Sequence, residues 1–229
     1  AIPTIPLDAI RPFLTRAIVV NAEEIEQAPY VVSSAGEHVI TGVSDRVYVR
    51  GIEDKSETVF DIYRPGGPYI DPDTDELLGY EALYVGTGPV EQFGDPATIF
   101  LAETTREIRV GDRLLSADTS TPVTHFQPHA PDSELEGRII SVIDGVSQIG
   151  QFNVVAMDLG TREGVEVGHV FRILKAGHRI KDTVSCKRNG TVRLPDEDAG
   201  LIMVFRTCDK VSFGLVVKAS SAINLNDFV

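Results

Sequence analysis

The sequence predicts a mainly β protein: two tandem, similar small β-barrel or sandwich modules, preceded by a short helical N-terminal segment. Three observations predict it. Short runs rich in β-branched and aromatic residues recur along the chain, separated by turn residues. Hydrophobic residues are 42% and charged residues 24% of the 229, a balance that builds a core instead of a disordered chain. Several stretches of the first half reappear in the second.

The elements follow in chain order. The prolines of Ala1–Pro6 hold the start extended. Leu7–Leu14 is predicted to begin a short helix, made irregular by Pro12. Asn21 is a good N-cap, and Glu23 and Glu24 follow where the helix dipole favours acids, until Pro29 stops the helix. Strands are predicted at Val39–Val43, Arg46–Arg50, Thr58–Tyr63, Glu81–Val85 and Thr98–Ala102. Beyond Gly137 they resume at Arg138–Ile143, Phe152–Met157, His169–Leu174, Leu201–Phe205 and Gly214–Lys218.

The repeat pairs Val59–Arg64 with Val170–Lys175 and Gly79–Val85 with Gly200–Arg206. It pairs Ala97–Leu114 with Ser212–Val229 without a gap, setting Ile108 against Ile223 and Asp112 against Asp227. Each half then reads strand, excursion, strand, short hairpin, strand, then a turn and a short terminal strand. The excursions are Pro65–Leu78 and Ala176–Ala199. The predicted organisation is a lead segment with a short helix at 1–37, a first β module at 38–115, a linker or long loop at 116–134 and a second β module at 135–229.

Twenty-one Lys and Arg against 34 Asp and Glu leave a net charge of −13. Such a chain is poorly suited to a phosphate backbone or an anionic membrane surface. No apolar run approaches the ~18 residues of a membrane span. The chain opens on Ala1 without a charged-then-apolar leader, which reads as a piece of a longer protein.

Motifs for chemistry are weak. Asp71-Pro-Asp-Thr-Asp-Glu begins like a calcium loop, but Glu76 stands where Gly is needed and Ala82 where a bidentate Glu is needed. His125 and His129 have zinc-pair spacing only on a helix, which Pro128 and Pro131 forbid. Gly160, Gly164 and Gly168 are spaced for turns, not for a dinucleotide loop. Gly145–Gly150 misses the nucleophile-elbow pattern, and a Cys186–His178 dyad has no supporting pattern. No catalytic residue, cofactor or metal is expected. Cys186 and Cys208 read as small core residues, with a disulfide as the alternative. The candidate partner-contact loop is the first excursion, with Pro65, Gly66, Gly67, Asp71, Asp73 and Asp75 at an exposed tip flanked by Tyr63, Tyr69 and Tyr80.

Ala1–Leu14, Tyr63–Thr74, Leu78–Thr87 and Gly137–Gly150 together resemble the bacterial LysM-domain proteins of the type IV pilus secretin-associated (TsaP) family, over nearly the whole chain. Asp158–Phe171 resembles, more weakly, the C-terminal domain of the flagellar T-ring protein FlgT. The resemblance implies a periplasmic, non-enzymatic assembly or anchoring component, associated with the outer-membrane secretin of the pilus machinery. Peptidoglycan binding would then reside in an N-terminal LysM domain absent from this sequence, and a ring-like homo-oligomer on the secretin is a further implication. An oxidising periplasm would permit a Cys186–Cys208 disulfide. The alternative is a cell-wall glycan-binding accessory module of a peptidoglycan-processing protein.

Overall fold

The computed structural model describes residues 5–6, 18–36, 41–117, 125–143, 149–177, 179–182 and 190–229. The chain is mainly β. The strands are β1 (Ile5–Pro6), β2 (Ile18–Val20), β3 (Tyr30–Ser34), β4 (Arg46–Arg50), β5 (Val59–Ile70), β6 (Leu77–Gln92), β7 (Ala97–Phe100), β8 (Glu103–Thr104) and β9 (Arg113–Ser116). They continue as β10 (His125–Phe126), β11 (Ile139–Ile143), β12 (Val154–Met157), β13 (Val170–Lys175), β14 (Arg179–Lys181), β15 (Thr191–Arg193), β16 (Glu197–Thr207) and β17 (Ser212–Ala219). One α-helix, α1 (Ala22–Gln27), lies among the described residues. Asn21 caps it by accepting the Glu24 N–H at 2.7 Å, and extended Ala28 ends it before Pro29. No helix among the described residues is long and apolar enough to cross a membrane.

Two compact units form. The N-terminal unit holds Arg16–Tyr69 and Gly79–Pro122; the C-terminal unit holds Ala1–Thr15, Ile70–Leu78 and Val123–Val229.

In the N-terminal unit the sheet runs β2-β6-β5-β9-β3-β4-β7, and β7 pairs again with β6. Burial alternates along β4: Val47 and Val49 are fully buried while Arg46, Tyr48 and Arg50 face out, as a period of two demands. These valines join Val31, Phe60, Ile62, Val85, Ile99, Leu101, Ile108 and Leu114 in one core. Backbone bonds fix its turns. Ser44 N–H donates to Leu101 O, Leu101 N–H to Asp45 O, Val31 N–H to Asp112 O and Gly111 N–H to Val31 O, all at 2.9 Å. Asp112 accepts the Arg109 N–H at 2.8 Å.

In the C-terminal unit the sheet runs β11-β12-β17-β16-β13. Phe228 bridges both Arg138, just before β11, and Leu174 in β13. Ile139, Val155, Met157, Phe171, Ile173, Ile202, Val204, Val216 and Ile223 fill the core. Its turns are held by Phe152 N–H to Val216 O at 2.7 Å, Val216 N–H to Asn153 O at 3.0 Å, Ile139 N–H to Asp227 O at 3.1 Å and Asn226 N–H to Ile139 O at 2.8 Å. Asp227 accepts the Asn224 N–H at 2.9 Å.

The ladders correct parts of the sequence reading. Thr58 O accepts the Val90 N–H and His169 O the Val204 N–H. Since Val59 is matched to Val170, Val204 corresponds to Val90, seven residues beyond the predicted Leu83. β6 is longer than β16, so a gapless strand match slips. The first excursion is not a loop from Pro65 to Leu78: β5 and β6 run through most of it. The ladder from β5 to β9 ends at Tyr63, so Pro65 and Pro68 lie where that flank of the strand asks for no donor. The predicted lead segment contributes β2 and β3, and β3 sits between β9 and β4 with Val31 buried. The predicted linker contributes β10, which pairs β1. The predicted Leu7–Leu14 helix, Val39 and Ile40 of the predicted Val39–Val43 strand, His178 and Cys186 lie outside the described residues. The described part of that strand is not a strand, since Thr41 makes only an isolated bridge to Ile108 and Val43 lies in a turn.

Candidate acidic cleft in the C-terminal unit

Residues 71–76 turn back on themselves through their own side chains. Asp71 Oδ1 accepts the N–H groups of Asp73 at 2.8 Å and Thr74 at 3.0 Å, and Asp71 N–H donates to Glu76 O at 2.9 Å. Asp75 takes the left-handed conformation at φ 60°, which Asp tolerates. The acidic run that begins like a calcium loop is thus a self-bonded turn.

Three cations hold this turn. Arg138 gives Asp73 a two-pronged bond at 2.6 and 2.9 Å and lies 4.2 Å over the Phe228 ring. Arg162 does the same for Glu76 at 3.0 and 3.1 Å, and Lys210 Nζ donates to Glu76 at 2.6 Å. Hydrogen bonds from Arg162 and Lys210 hold the Glu76 carboxyl down at about 2. Arg162 also pairs with Glu163, which accepts the Gly160 N–H at 2.7 Å and fixes the short 3₁₀ turn Thr161–Glu163.

Beside these pairs lies an open cleft of about 360 Å³, lined by Asp71, Asp73, Glu136, Arg138, Asp158, Arg162, Glu163 and Phe228 among others. Asp158 is its most perturbed carboxyl. Burial pushes the carboxyl up to about 6, and the charges of Asp71 and Asp73 push the same way. The Arg138 N–H, donating to Asp158 Oδ1 at 2.6 Å, only partly opposes them. A carboxyl pushed up to about 6 therefore shares the cleft with two fixed guanidinium groups. This arrangement suits recognition of a small polar ligand bearing both hydrogen-bond donors and acceptors.

The predicted contact residues divide. Asp71 and Asp73 line the cleft. Asp75 is exposed on the turn, and Gly67 has open space around it. Tyr63 and Tyr69, expected at an exposed tip, are buried in the N-terminal unit. Tyr63 meets Tyr84 edge-on at 5.9 Å. Tyr69 donates to Glu81 Oε1 at 2.9 Å, and burial pushes that carboxyl up. Gly66 packs on Glu81, since a Cβ there would stand 2.6 Å from Oε2. Pro65 lies in β5, and Tyr80 is half-buried. The aromatics follow the pleat inward because β5 and β6 are strands here.

Arg138, Asp158, Arg162 and Lys210 were invisible as a site in sequence. Each sits in an ordinary strand or turn, and only the fold brings them to residues 71–76. The same holds for His129, Glu166 and His169, whose ligand atoms all lie within 4.8 Å of one another. Their hydrogen bonds limit them as metal ligands. His129 Nδ1 bonds the Gln127 carbonyl at 2.9 Å, which leaves its Nε2 lone pair available. His169 Nδ1 accepts the Glu166 N–H at 3.1 Å, so its Nε2 carries the proton and offers no lone pair. The trio clips the chain instead: Val170 N–H donates to His129 O, and His129 N–H to Gly168 O. Cys208 is half-buried beside the turn that Thr161 caps by donating to its carbonyl. No family model matches the chain, and no curated protein matches it.

Proposed function

We propose that this chain is a non-enzymatic assembly or anchoring component of the bacterial periplasm. It associates with the outer-membrane secretin of a type IV pilus machine, and a LysM domain outside this sequence supplies peptidoglycan binding. The resemblance of four long stretches, Ala1–Leu14, Tyr63–Thr74, Leu78–Thr87 and Gly137–Gly150, carries this reading. A strand-built chain with bare apolar residues at turns suits it. Val110 and Leu225, 71% and 44% exposed, occupy matched positions of the repeat and present side chains a partner would cover. We propose further that each unit is one copy of a small barrel or sandwich module. The matched turn bonds of Ser44 with Leu101 and Phe152 with Val216 support this.

Pull-down of the 229-residue chain with purified secretin tests the function. Binding by the chain alone is expected. Binding only when a LysM domain is attached would move the role to that domain. The cleft at Asp158 favours a second reading, a glycan-binding accessory module. Sedimentation with purified peptidoglycan separates the two: the chain stays in the supernatant under the first reading and pellets under the second.

A further inference from the structure

We propose that the ribbon β14–β15 is a docking arm for an acidic, extended segment of another protein, taken up as an added strand. The inference is independent of the secretin reading.

The ribbon continues the β13–β16 hairpin beyond Lys175 and Glu197. At its base the backbones come so close at Gly177 that a Cβ would stand 1.8 Å from Leu194 O, so only glycine fits. Its register sets Arg179 opposite Arg193, Ile180 opposite Val192 and Lys181 opposite Thr191. Alternation then puts Arg179, Lys181 and Arg193 on one face and Ile180 and Val192 on the other. All six residues are exposed, with Ile180 at 41% and Val192 at 47%.

Each feature is costly without a partner. Like charges directly opposite on paired strands destabilise the pair. Asp196 relieves Arg193 at 3.1 Å, but no carboxylate among the described residues pairs with Arg179 or Lys181. β14 and β15 pair only with each other among the described residues, so their outer edges present backbone donors and acceptors that can template another strand. The charge is also segregated. The stretch 175–193 carries six Lys and Arg against Asp182 alone, while the remaining residues carry 15 against 33 acids.

These three features select the class of partner. Arg179 and Lys181 stand about 6.8 Å apart on one face, the spacing of alternate residues in an extended chain. A phosphodiester or polyuronate supplies anions but no apolar side chains for Ile180 and Val192, and no backbone N–H groups for an open edge. An acidic polypeptide with apolar residues at alternate positions supplies all three.

The probe is a fluorescein-labelled heptapeptide alternating Glu and Val, titrated with the full chain and read by anisotropy. Its Lys-for-Glu counterpart and an oligo-dT of matched charge serve as comparators. Saturable binding of the acidic peptide alone is expected, weakened by raising salt from about 0.05 to 0.5 M. The triple variant Arg179→Glu, Lys181→Glu, Arg193→Glu should bind it at least tenfold more weakly and gain the Lys peptide, with its thermal transition unchanged. Ile180→Ser with Val192→Ser should weaken binding severalfold. No binding of the acidic peptide, equal binding by the triple variant, or equally tight binding of oligo-dT would each overturn the proposal.

Discussion

The turn joining β5 to β6 and the ribbon β14–β15 occupy corresponding places in the proposed repeat, and they solve opposite problems. The first is acidic, with Asp71, Asp73, Asp75 and Glu76 in six residues. Its charges are used within the chain: Asp73 on Arg138, Glu76 on Arg162 and Lys210, Asp71 on its own turn. The second is basic, and Arg179 and Lys181 stand in solvent. One excursion has its counter-charges built in, and the other presents its charges outward. An acidic run is therefore not a docking surface merely because it is acidic; what matters is whether the fold has already matched it.

The largest effect should come from the buried turn acids, where the two units differ. Asp112 is 2% exposed and accepts two bonds from Arg64 at 3.0 Å besides the Arg109 N–H. Asp227 accepts the Asn224 N–H. Asp112→Ala strands a half-buried guanidinium and should cost about 3–5 kcal/mol. Asp227→Ala should cost about 1–2 kcal/mol. Urea unfolding followed separately for each unit checks the order, and equal losses would break the comparison.

Arg138→Ala removes the Asp73 pair and the stacking on Phe228 together, and should cost about 1–2 kcal/mol. Melting of the C-terminal unit reads it.

A pH series sharpens the contrast within the cleft. The Asp158 carboxyl titrates near 6 in the fold, above its ordinary value of 3.8. Its contribution is therefore full at acid pH and is lost as pH rises through about 6. The Glu76 carboxyl is held near 2, below 4.5, so its contribution is present above pH 4.5 and fades as pH falls toward 2. Asp158→Asn should gain melting temperature relative to the parent between pH 4.5 and 7.5. Glu76→Gln should lose more at pH 7 than at pH 2.5. Either sign reversed contradicts the assignment.

The smallest effect belongs to the ribbon. Arg179→Glu should leave stability within about 0.5 kcal/mol, because Arg179 has no carboxylate partner to lose among the described residues.

How much of this was legible in sequence follows from the range of each interaction. The strand at Arg46–Arg50 is local, because alternation of Val47 and Val49 with Arg46, Tyr48 and Arg50 specifies it. The Asn21 cap is equally local, and the structure bears out both. The matched turns ending in Asp112 and Asp227 could be read because the same few residues bond each other. β3 escapes a sequence reading because Tyr30–Ser34 shows no clean alternation, and its burial comes from β9 and β4. Tyr69 reads as exposed in sequence because two glycines and two prolines nearby signal a loop, while the pairing of β5 with β6 overrides them. The cleft was illegible for the plainest reason: Asp73 and Arg138 are 65 positions apart, and no spacing rule links them.

The central claim, that one excursion is matched within the fold and the other is presented, is tested most directly by hydrogen exchange resolved by residue on the full chain. Slow exchange is expected at Asp71, Asp73 and Asp75, whose N–H groups are bonded within the turn, and fast exchange on the outer edges of β14 and β15. Adding the acidic heptapeptide should slow the ribbon and leave residues 71–76 unchanged. Fast exchange at residues 71–76 with a protected ribbon in the free chain would contradict it.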